Sequence, residues 1–209
     1  ELTGEIPIEI CNLNIGEMYY FSIYNNQLCP PYPSCIEDYV GDQDLSNCDG
    51  VVELWGEYYS IENTIELDLS YSGLTGSIPP EIGSLTNLER LELYGNELSG
   101  SIPPEIGNLT NLTFLDLSDN ELTGSIPPEI GNLTNLTELK LVDNQLTGSI
   151  PPEIGNLTNL TQLWLCCNEL TGEIPIEICN LNIGEMYYFS IYNNQLCPPY
   201  PSCIEDYVG

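Results

Sequence analysis

A single 24-residue stretch, residues 108–131, decides the fold; it reads NLTNLTFLDLSDNELTGSIPPEIG. In its LDL segment, Leu115 and Leu117 point to one side and the residues around them point to the other, as in a short β-strand. A glycine then permits a tight bend, and an Ile-Pro pair favours an extended segment. The stretch therefore predicts a strand followed by a chain that turns back on itself.

The same pattern recurs along the chain with a period of 24 residues. Close copies occupy residues 84–107, 108–131, 132–155 and 156–179, with a looser copy at 60–83 and a terminal variant at 180–203. Their shared pattern is LxxLxxLxLxxNxLxGxIPxxIG. One such coil cannot bury its leucines alone, whereas a stack of coils can.

An asparagine follows the strand at the same place in most repeats. These residues are Asn96, Asn120, Asn144, Asn168 and Asn194, and Ser72 takes the position in the first repeat. An amide there can bond to backbone groups that turn away from the strand. We therefore expect a structural asparagine ladder through the stack.

This pattern resembles the plant-type leucine-rich repeat of plant receptor kinase ectodomains and polygalacturonase-inhibiting proteins. The resemblance implies a leucine-rich-repeat solenoid. Such a solenoid is a curved right-handed coil with a parallel β-sheet on the concave face, few or no α-helices, 3-10 or extended segments on the convex side, and capped ends. N-terminal caps of this family usually carry a cysteine pair and a tryptophan. Here Cys48 stands near Trp55, and Tyr58 occupies a place where a second cysteine is expected.

A longer repeat lies over the short one. Residues 1–41 recur letter for letter as residues 169–209, an offset of 168 residues or seven short repeats. We expect both copies to adopt the same fold. We therefore interpret the chain as one stretch of a tandem array, or of a polymer whose units meet end to end. The predicted parts are the last repeat and C-terminal cap of a preceding unit (1–41), an N-terminal cap (42–66), five repeats (60–179), and a terminal repeat with its C-terminal cap (180–209).

Composition limits the partners and the compartment. The chain has 32 acidic residues, two basic residues and no histidine, for a net charge of −30. This charge repels nucleic acids and anionic membranes and attracts basic partners. No apolar run approaches the ~20 residues that span a bilayer, and no signal peptide is present, so we read the chain as a mature or excised segment. Nine cysteines favour an extracellular location, either secreted or at the cell surface.

The 168-residue unit holds six cysteines, an even number that favours disulfides. They are Cys48, Cys166, Cys167, Cys179, Cys197 and Cys203. We expect Cys197 to pair with Cys203 across a proline-rich loop, and the duplicates Cys29 and Cys35 to do the same. One of the adjacent pair Cys166 and Cys167 is expected to meet Cys179, and the other to reach Cys48 of a neighbouring unit. Other pairings stay open.

Outward-facing strand positions form the candidate binding surface, because neighbouring strands bring them into columns. The aromatic and charged members are Tyr94, Phe114, Asp116, Lys140, Trp164, Tyr188 and Tyr192. One interpretation is a binding face for a peptide, a glycan or another subunit. The other is ordinary variation on a solvated sheet.

Two further columns belong to the repeat itself. The PPEI segments and the terminal IEI segment place glutamates at Glu81, Glu105, Glu129, Glu153 and Glu177. Calcium binds several carboxylate oxygens, but no calcium-loop motif is present, so we interpret these glutamates as solvated. The NLTNLT text creates candidate N-glycosylation sites at Asn108, Asn111, Asn132, Asn135, Asn156 and Asn159.

Nothing in the sequence favours catalysis. The chain has no histidine, no GxSxG nucleophile motif and no phosphate-binding loop. We therefore expect no enzyme activity, cofactor or metal site. The main hypothesis is an extracellular structural protein, a unit of a periodic fibre or tandem array that contacts copies of itself end to end. The alternative is a recognition or adhesion module that binds a protein or glycan through its concave face.

Overall fold

The computed structural model describes residues 2–13, 15, 21–24, 26–29, 32–41, 43, 48 and 50–207. The chain forms two compact units, residues 1–63 and 64–209. Short β-strands and 3-10 turns make up both units, and the described ranges contain no α-helix. Accordingly, no helix in those ranges has the length and apolar character needed to cross a membrane.

Residues 64–209 carry one strand per repeat in a six-stranded parallel sheet, which we call the front sheet. Its strands lie in sequence order: Glu66–Asp68, Arg90–Glu92, Phe114–Asp116, Glu138–Lys140, Gln162–Trp164 and Tyr188–Ser190. Each residue pairs with the residue at the same repeat position, as in Leu91, Leu115 and Leu139. The repeat period therefore sets the register directly.

A second layer of short parallel strands follows the asparagine position. Four of them form one sheet, and two more form a separate pair: Thr75–Gly76, Glu97–Gly100, Glu121–Gly124 and Gln145–Leu146, then Thr171–Glu173 with Gln195–Cys197. The proline segments then enter 3-10 turns at Pro80–Ser84, Pro104–Asn108, Pro128–Asn132, Pro152–Asn156 and Ile176–Asn180. Two more turns, Ile183–Glu185 and Ser202–Tyr207, belong to the terminal cap.

Inward-pointing leucines and isoleucines fill the space between these layers. Leu91, Leu115 and Leu139 are fully buried in successive coils, and each such side chain contributes about 1.5–3 kcal/mol of burial energy. Glycine in the 3-10 turn allows the coils to approach closely. A Cβ on Gly131 would lie 2.6 Å from the carbonyl oxygen of Glu153 in the next coil.

The five asparagines join neighbouring coils. Asn120 Oδ1 accepts a hydrogen bond from the Leu98 N–H at 3.1 Å, and its Nδ2 donates to the Leu93 carbonyl at 2.9 Å. Nδ2 also donates to the Leu117 carbonyl of its own coil at 3.1 Å. The same bonds recur at Asn96, Asn144, Asn168 and Asn194. Each amide therefore satisfies backbone groups that the strands cannot pair.

Residues 1–63 form a smaller unit with its own core. Its strands are Thr3–Glu5 with Gln27–Cys29 in parallel, and Val51–Leu54 with Glu57–Ser60 in an antiparallel hairpin. Its 3-10 turns are Ile8–Asn12 and Glu37–Tyr39. The buried core comprises Ile6, Ile15, Ile23, Leu28, Ile36 and Val40. The hairpin contributes Trp55 and Tyr58 of the expected N-terminal cap, whose residues 42, 44–47 and 49 lie outside the described residues.

The disulfides differ from the expected pairing. The bonds are Cys11–Cys35, Cys29–Cys48 and Cys179–Cys203, whereas Cys166, Cys167 and Cys197 are free thiols. The expected pairs Cys197–Cys203, Cys29–Cys35 and Cys166–Cys179 are therefore wrong, and Cys48 bonds to Cys29, the counterpart of Cys197, rather than to a counterpart of Cys166 or Cys167.

The physical reason is the repeat geometry. Cys179 and Cys203 are 24 residues apart, so they occupy equivalent places on neighbouring coils, with 5.7 Å between their Cα atoms. This separation is well suited to a disulfide.

Candidate recognition face

The front sheet brings the outward side chains of six repeats onto one surface. Arg90, Phe114 and Glu138 lie side by side in one row of the register, and Glu92, Asp116 and Lys140 lie in the next row. The two basic residues of the chain therefore flank one aromatic residue.

Phe114 lies beneath these two cations. The guanidinium carbon of Arg90 is 3.7 Å from the ring centroid, and the Lys140 ammonium is 4.5 Å from it. Arg90 also bonds to Glu92 at 2.6 Å, and Lys140 to Glu138 at 2.9 Å. Each cation is thus already paired with an acid and with the ring.

The sequence predicted that Phe114 would be an exposed contact residue, and this is wrong. Its side chain is only 8% exposed, because the neighbouring cations cover it. The Phe114 ring instead holds Arg90 and Lys140 in place through cation–π contacts.

A second aromatic cluster lies further along the sheet. The rings of Trp164 and Tyr188 stack with 3.9 Å between centroids and 10° between planes. The Trp164 indole Nε1 donates a hydrogen bond to Gln162 Oε1 at 3.2 Å, which fixes its orientation. Tyr188 remains 39% exposed. The pair therefore presents a rigid, partly exposed aromatic surface, the kind of surface that contributes most to binding energy in interfaces.

Tyr94 forms a third aromatic contact at the opposite edge of the sheet. Its ring meets Tyr71 edge-on with 4.7 Å between the ring centroids, and the Tyr71 and Tyr94 hydroxyls share a hydrogen bond. This hydrogen bond is the main cause that raises the pKa of Tyr94 to about 12. Tyr71 lies outside the outward-facing strand positions of the repeat pattern; it follows the strand in the left-handed region at φ 53° and turns its ring toward the next repeat.

The other expected face residues have individual surroundings. Asp116 Oδ1 accepts a hydrogen bond from the Ser118 N–H at 3.0 Å, which fixes that carboxylate on the face. Tyr192 is 53% exposed beside buried Cys166, and a hydrogen bond with this thiol is the main cause that raises the pKa of Tyr192. Together with Trp164 and Tyr188, Tyr192 belongs to the C-terminal half of the sheet.

The glutamates and the sequon asparagines lie on the 3-10 side of the repeats. Glu81, Glu105, Glu129 and Glu177 are exposed, as are all six sequon asparagines. Three of these asparagines, Asn111, Asn135 and Asn159, donate their side-chain amides to carbonyls of the preceding coil at 2.8–2.9 Å. Among the residues that the structure describes, no three or more acidic, cysteine or histidine side chains are grouped to hold a metal ion.

A comparison with protein families agrees with this architecture. The family model described as "Leucine-rich repeat region" matches residues 60–186, which is more than half of the chain. The chain therefore belongs to the leucine-rich-repeat family. A comparison with curated proteins finds no match.

Several solved structures share the fold. The plant peptide hormone receptor RGFR1, solved in complex with RGF2, is 36% identical and has a TM-score of 0.61, with 95% of this chain and 28% of that chain covered. The ectodomain of the Arabidopsis thaliana membrane receptor kinase GASSHO1/SCHENGEN3, in complex with CASPARIAN STRIP INTEGRITY FACTOR 2, is 31% identical, with a TM-score of 0.63 and coverages of 95% and 21%. A TDR receptor is 40% identical, with a TM-score of 0.59 and coverages of 65% and 23%.

These receptors are longer than the chain, which spans about a quarter of their length. The similarity confirms the leucine-rich-repeat solenoid and the plant-type repeat pattern. Together with the disulfides, it also places the protein outside the cell, either secreted or at the cell surface.

Proposed function

We propose that the protein is a non-enzymatic extracellular recognition module that binds a basic peptide, or a basic segment of a protein, through its front sheet. The observation that carries this proposal is the stacked pair of Trp164 and Tyr188, which is held rigid and partly exposed on the sheet. A similar solenoid, that of the plant peptide hormone receptor RGFR1, has been solved in complex with RGF2, which supports a peptide ligand here.

Charge supports a basic ligand. The net charge is −30, and the chain's two cations are already neutralised by Glu92 and Glu138 on the same strands. Among the described residues, no cation lies at salt-bridge distance from Asp116 or from Glu66 and Asp68, the acids of the first strand. A basic ligand would therefore gain attraction from the whole surface, and its association rate would fall with added salt.

The test begins with a displayed library of random peptides selected against the complete chain. We expect the selected peptides to be rich in lysine and arginine. Trp164→Ala combined with Tyr188→Ala should weaken their binding by at least about 30-fold, because an aromatic anchor of this type contributes about 2 kcal/mol. Glu129→Ala, on the 3-10 side, is the control and should leave binding unchanged. Equal binding by the double variant would contradict the proposal.

A second function, as a unit in a tandem array, is supported by a different observation. Where the structure describes both copies, the two identical 41-residue segments share a strand pair, a 3-10 turn and a disulfide, although they belong to different compact units. Thr3–Glu5 pairs with Gln27–Cys29 in the same register as Thr171–Glu173 pairs with Gln195–Cys197. A segment whose strand pair, 3-10 turn and disulfide recur in two places is suited to periodic repetition.

The array is tested on material from the native source. Mass spectrometry of the intact polypeptide, before any proteolysis, should give chains longer than 209 residues by multiples of the 168-residue unit. Chains with no further copy of that unit would contradict the tandem array and would not affect the proposal of peptide recognition.

A further inference from the structure

The two identical segments, residues 1–41 (the first cap) and residues 169–209 (the second cap), share several features where the structure describes both, so the contacts of the first cap indicate what the second cap can bind. Both contain a disulfide between cysteines 24 residues apart, Cys11–Cys35 and Cys179–Cys203, and in both the Cα atoms are 5.7 Å apart. An edge-on aromatic pair recurs as well: Phe21 with Tyr39 at 5.7 Å, and Phe189 with Tyr207 at 5.5 Å. Any group that binds the first cap therefore has an equivalent site on the second.

Gln43, which follows the first cap, bonds to it as an asparagine of the ladder bonds to the preceding coil. Its Oε1 accepts a hydrogen bond from the Leu28 N–H at 3.2 Å, and its Nε2 donates to the carbonyls of Ile23 at 2.8 Å and Val40 at 2.7 Å. Its backbone forms a parallel bridge with Asn26. One glutamine thus satisfies the backbone groups that an asparagine of a following coil would satisfy.

Cys48, five residues after Gln43, fixes the same segment covalently. It bonds to Cys29, with 5.4 Å between the Cα atoms. The first cap is therefore closed twice, by an amide side chain and by a disulfide.

The second cap has the same receiving groups without these partners. Cys197, the counterpart of Cys29, is a free and exposed thiol. Leu196, the counterpart of Leu28, is only half-buried, whereas Leu28 is 5% exposed. Among the described residues, no side-chain amide accepts a hydrogen bond from the Leu196 N–H.

A cavity occupies the place that Gln43 fills in the first cap. Its volume is about 160 Å³, and its lining includes Ile191, Asn194 and Leu196. These three residues correspond to Ile23, Asn26 and Leu28, the residues that hold Gln43. The cavity is several times larger than the ~30 Å³ that a water molecule occupies, so it has room for a side chain.

We propose that the cavity beside Cys197 is a docking site for a segment of the Gln43–Cys48 type, supplied by a following copy of the 168-residue unit in the same polypeptide. The incoming glutamine occupies the cavity and bonds to the Leu196 N–H and the Ile191 carbonyl. The incoming cysteine forms a disulfide with Cys197. This inference rests on the tandem array proposed above and is independent of peptide recognition by the front sheet.

The covalent step is an ordinary thiol oxidation. The Cys197 thiol and the incoming thiol lose two protons and two electrons and form one sulfur–sulfur bond. A small-molecule disulfide such as oxidised glutathione accepts them and becomes two thiols, through a mixed-disulfide intermediate. The extracellular location supplies this oxidising chemistry.

The test uses the complete chain extended after Gly209 by a second copy of residues 42–66, refolded in a glutathione redox buffer. Non-reduced peptide mapping by mass spectrometry should find Cys197 bonded to the added copy of Cys48 in most molecules. Changing the added copy of Gln43 to alanine should lower the yield of this bond at least about threefold. A synthetic peptide of residues 42–50, added separately to the 209-residue chain, should form the bond at least about tenfold less well at micromolar concentration.

Two results would overturn the proposal. One is an extended chain in which Cys11–Cys35 and Cys179–Cys203 form but Cys197 remains a free thiol. The other is an added cysteine that pairs with Cys166 or Cys167. The bond could form in the extended chain while native material lacks repeated units. That combination would contradict the tandem array and would still support the docking site.

Discussion

Removing one asparagine from the ladder gives a quantitative test of how the coils are held together. In Asn144→Ala, the Leu122 N–H loses its acceptor at 3.0 Å, and the Leu117 carbonyl loses a donor at 3.0 Å. Asn144 is 8% exposed, so water reaches these groups poorly. A buried N–H left without a partner costs about 1–3 kcal/mol, and a lost bond to a carbonyl about 1 kcal/mol. We therefore expect the free energy of unfolding to fall by about 3 kcal/mol.

The assay is urea unfolding followed by tryptophan fluorescence at 0.15 M salt. Asn132→Ala is the matched control, because Asn132 lies exposed at the end of a 3-10 turn, and its loss should cost less than about 0.5 kcal/mol. Equal losses for Asn144→Ala and Asn132→Ala, or a loss below about 1 kcal/mol for Asn144→Ala, would refute the ladder as a source of stability.

Three further predictions concern packing, titration and thiol reactivity. Gly131→Ala should lower the free energy of unfolding by about 1–3 kcal/mol because its Cβ overlaps the next coil, whereas Gly184→Ala, with no atom within 4 Å, should have little effect in the same assay. Tyr71→Phe should lower the pKa of Tyr94 from about 12 toward 10, as measured by NMR titration of 13C-labelled tyrosine. Because the pKa of Tyr94 is raised in the folded state, its contribution to the free energy of unfolding is lost as the pH rises through about 12. Maleimide should label Cys197 fastest of the three free thiols in native protein, and uniform labelling would contradict the assigned burial.

The repeat pattern predicts the coil well because every part of it has a local physical cause. Alternating leucines specify the strand, the glycine and Ile-Pro specify the bend, and the asparagine follows the strand at a fixed place. The register of the front sheet then follows from the period alone, as the pairing of Leu115 with Leu139 illustrates.

The disulfides were predicted less well, although the sequence held the relevant signal. Cys179 and Cys203 are one period apart, so a stack of coils places them next to each other, whereas Cys197 and Cys203 lie within one coil. Closeness along the chain was therefore the wrong guide. Distance in multiples of the repeat is the correct guide in a solenoid.

The candidate face depends on side-chain contacts between repeats, which a pattern of single positions does not describe. Phe114 has the outward position of an exposed residue, yet Arg90 and Lys140 cover it from both neighbouring strands. Gln43 was not predicted as a structural residue, because it makes the hydrogen bonds of a ladder asparagine at a position outside the repeat pattern.

Hydroxyl-radical footprinting with a selected basic peptide tests the central claim, recognition through the front sheet, most directly. We expect peptide binding to slow the oxidation of Trp164 and Tyr188 at least about fivefold and to leave the oxidation of Tyr207 in the terminal cap unchanged. Protection of Tyr207 alone, with Trp164 and Tyr188 oxidised at the rates of the free protein, would contradict this claim.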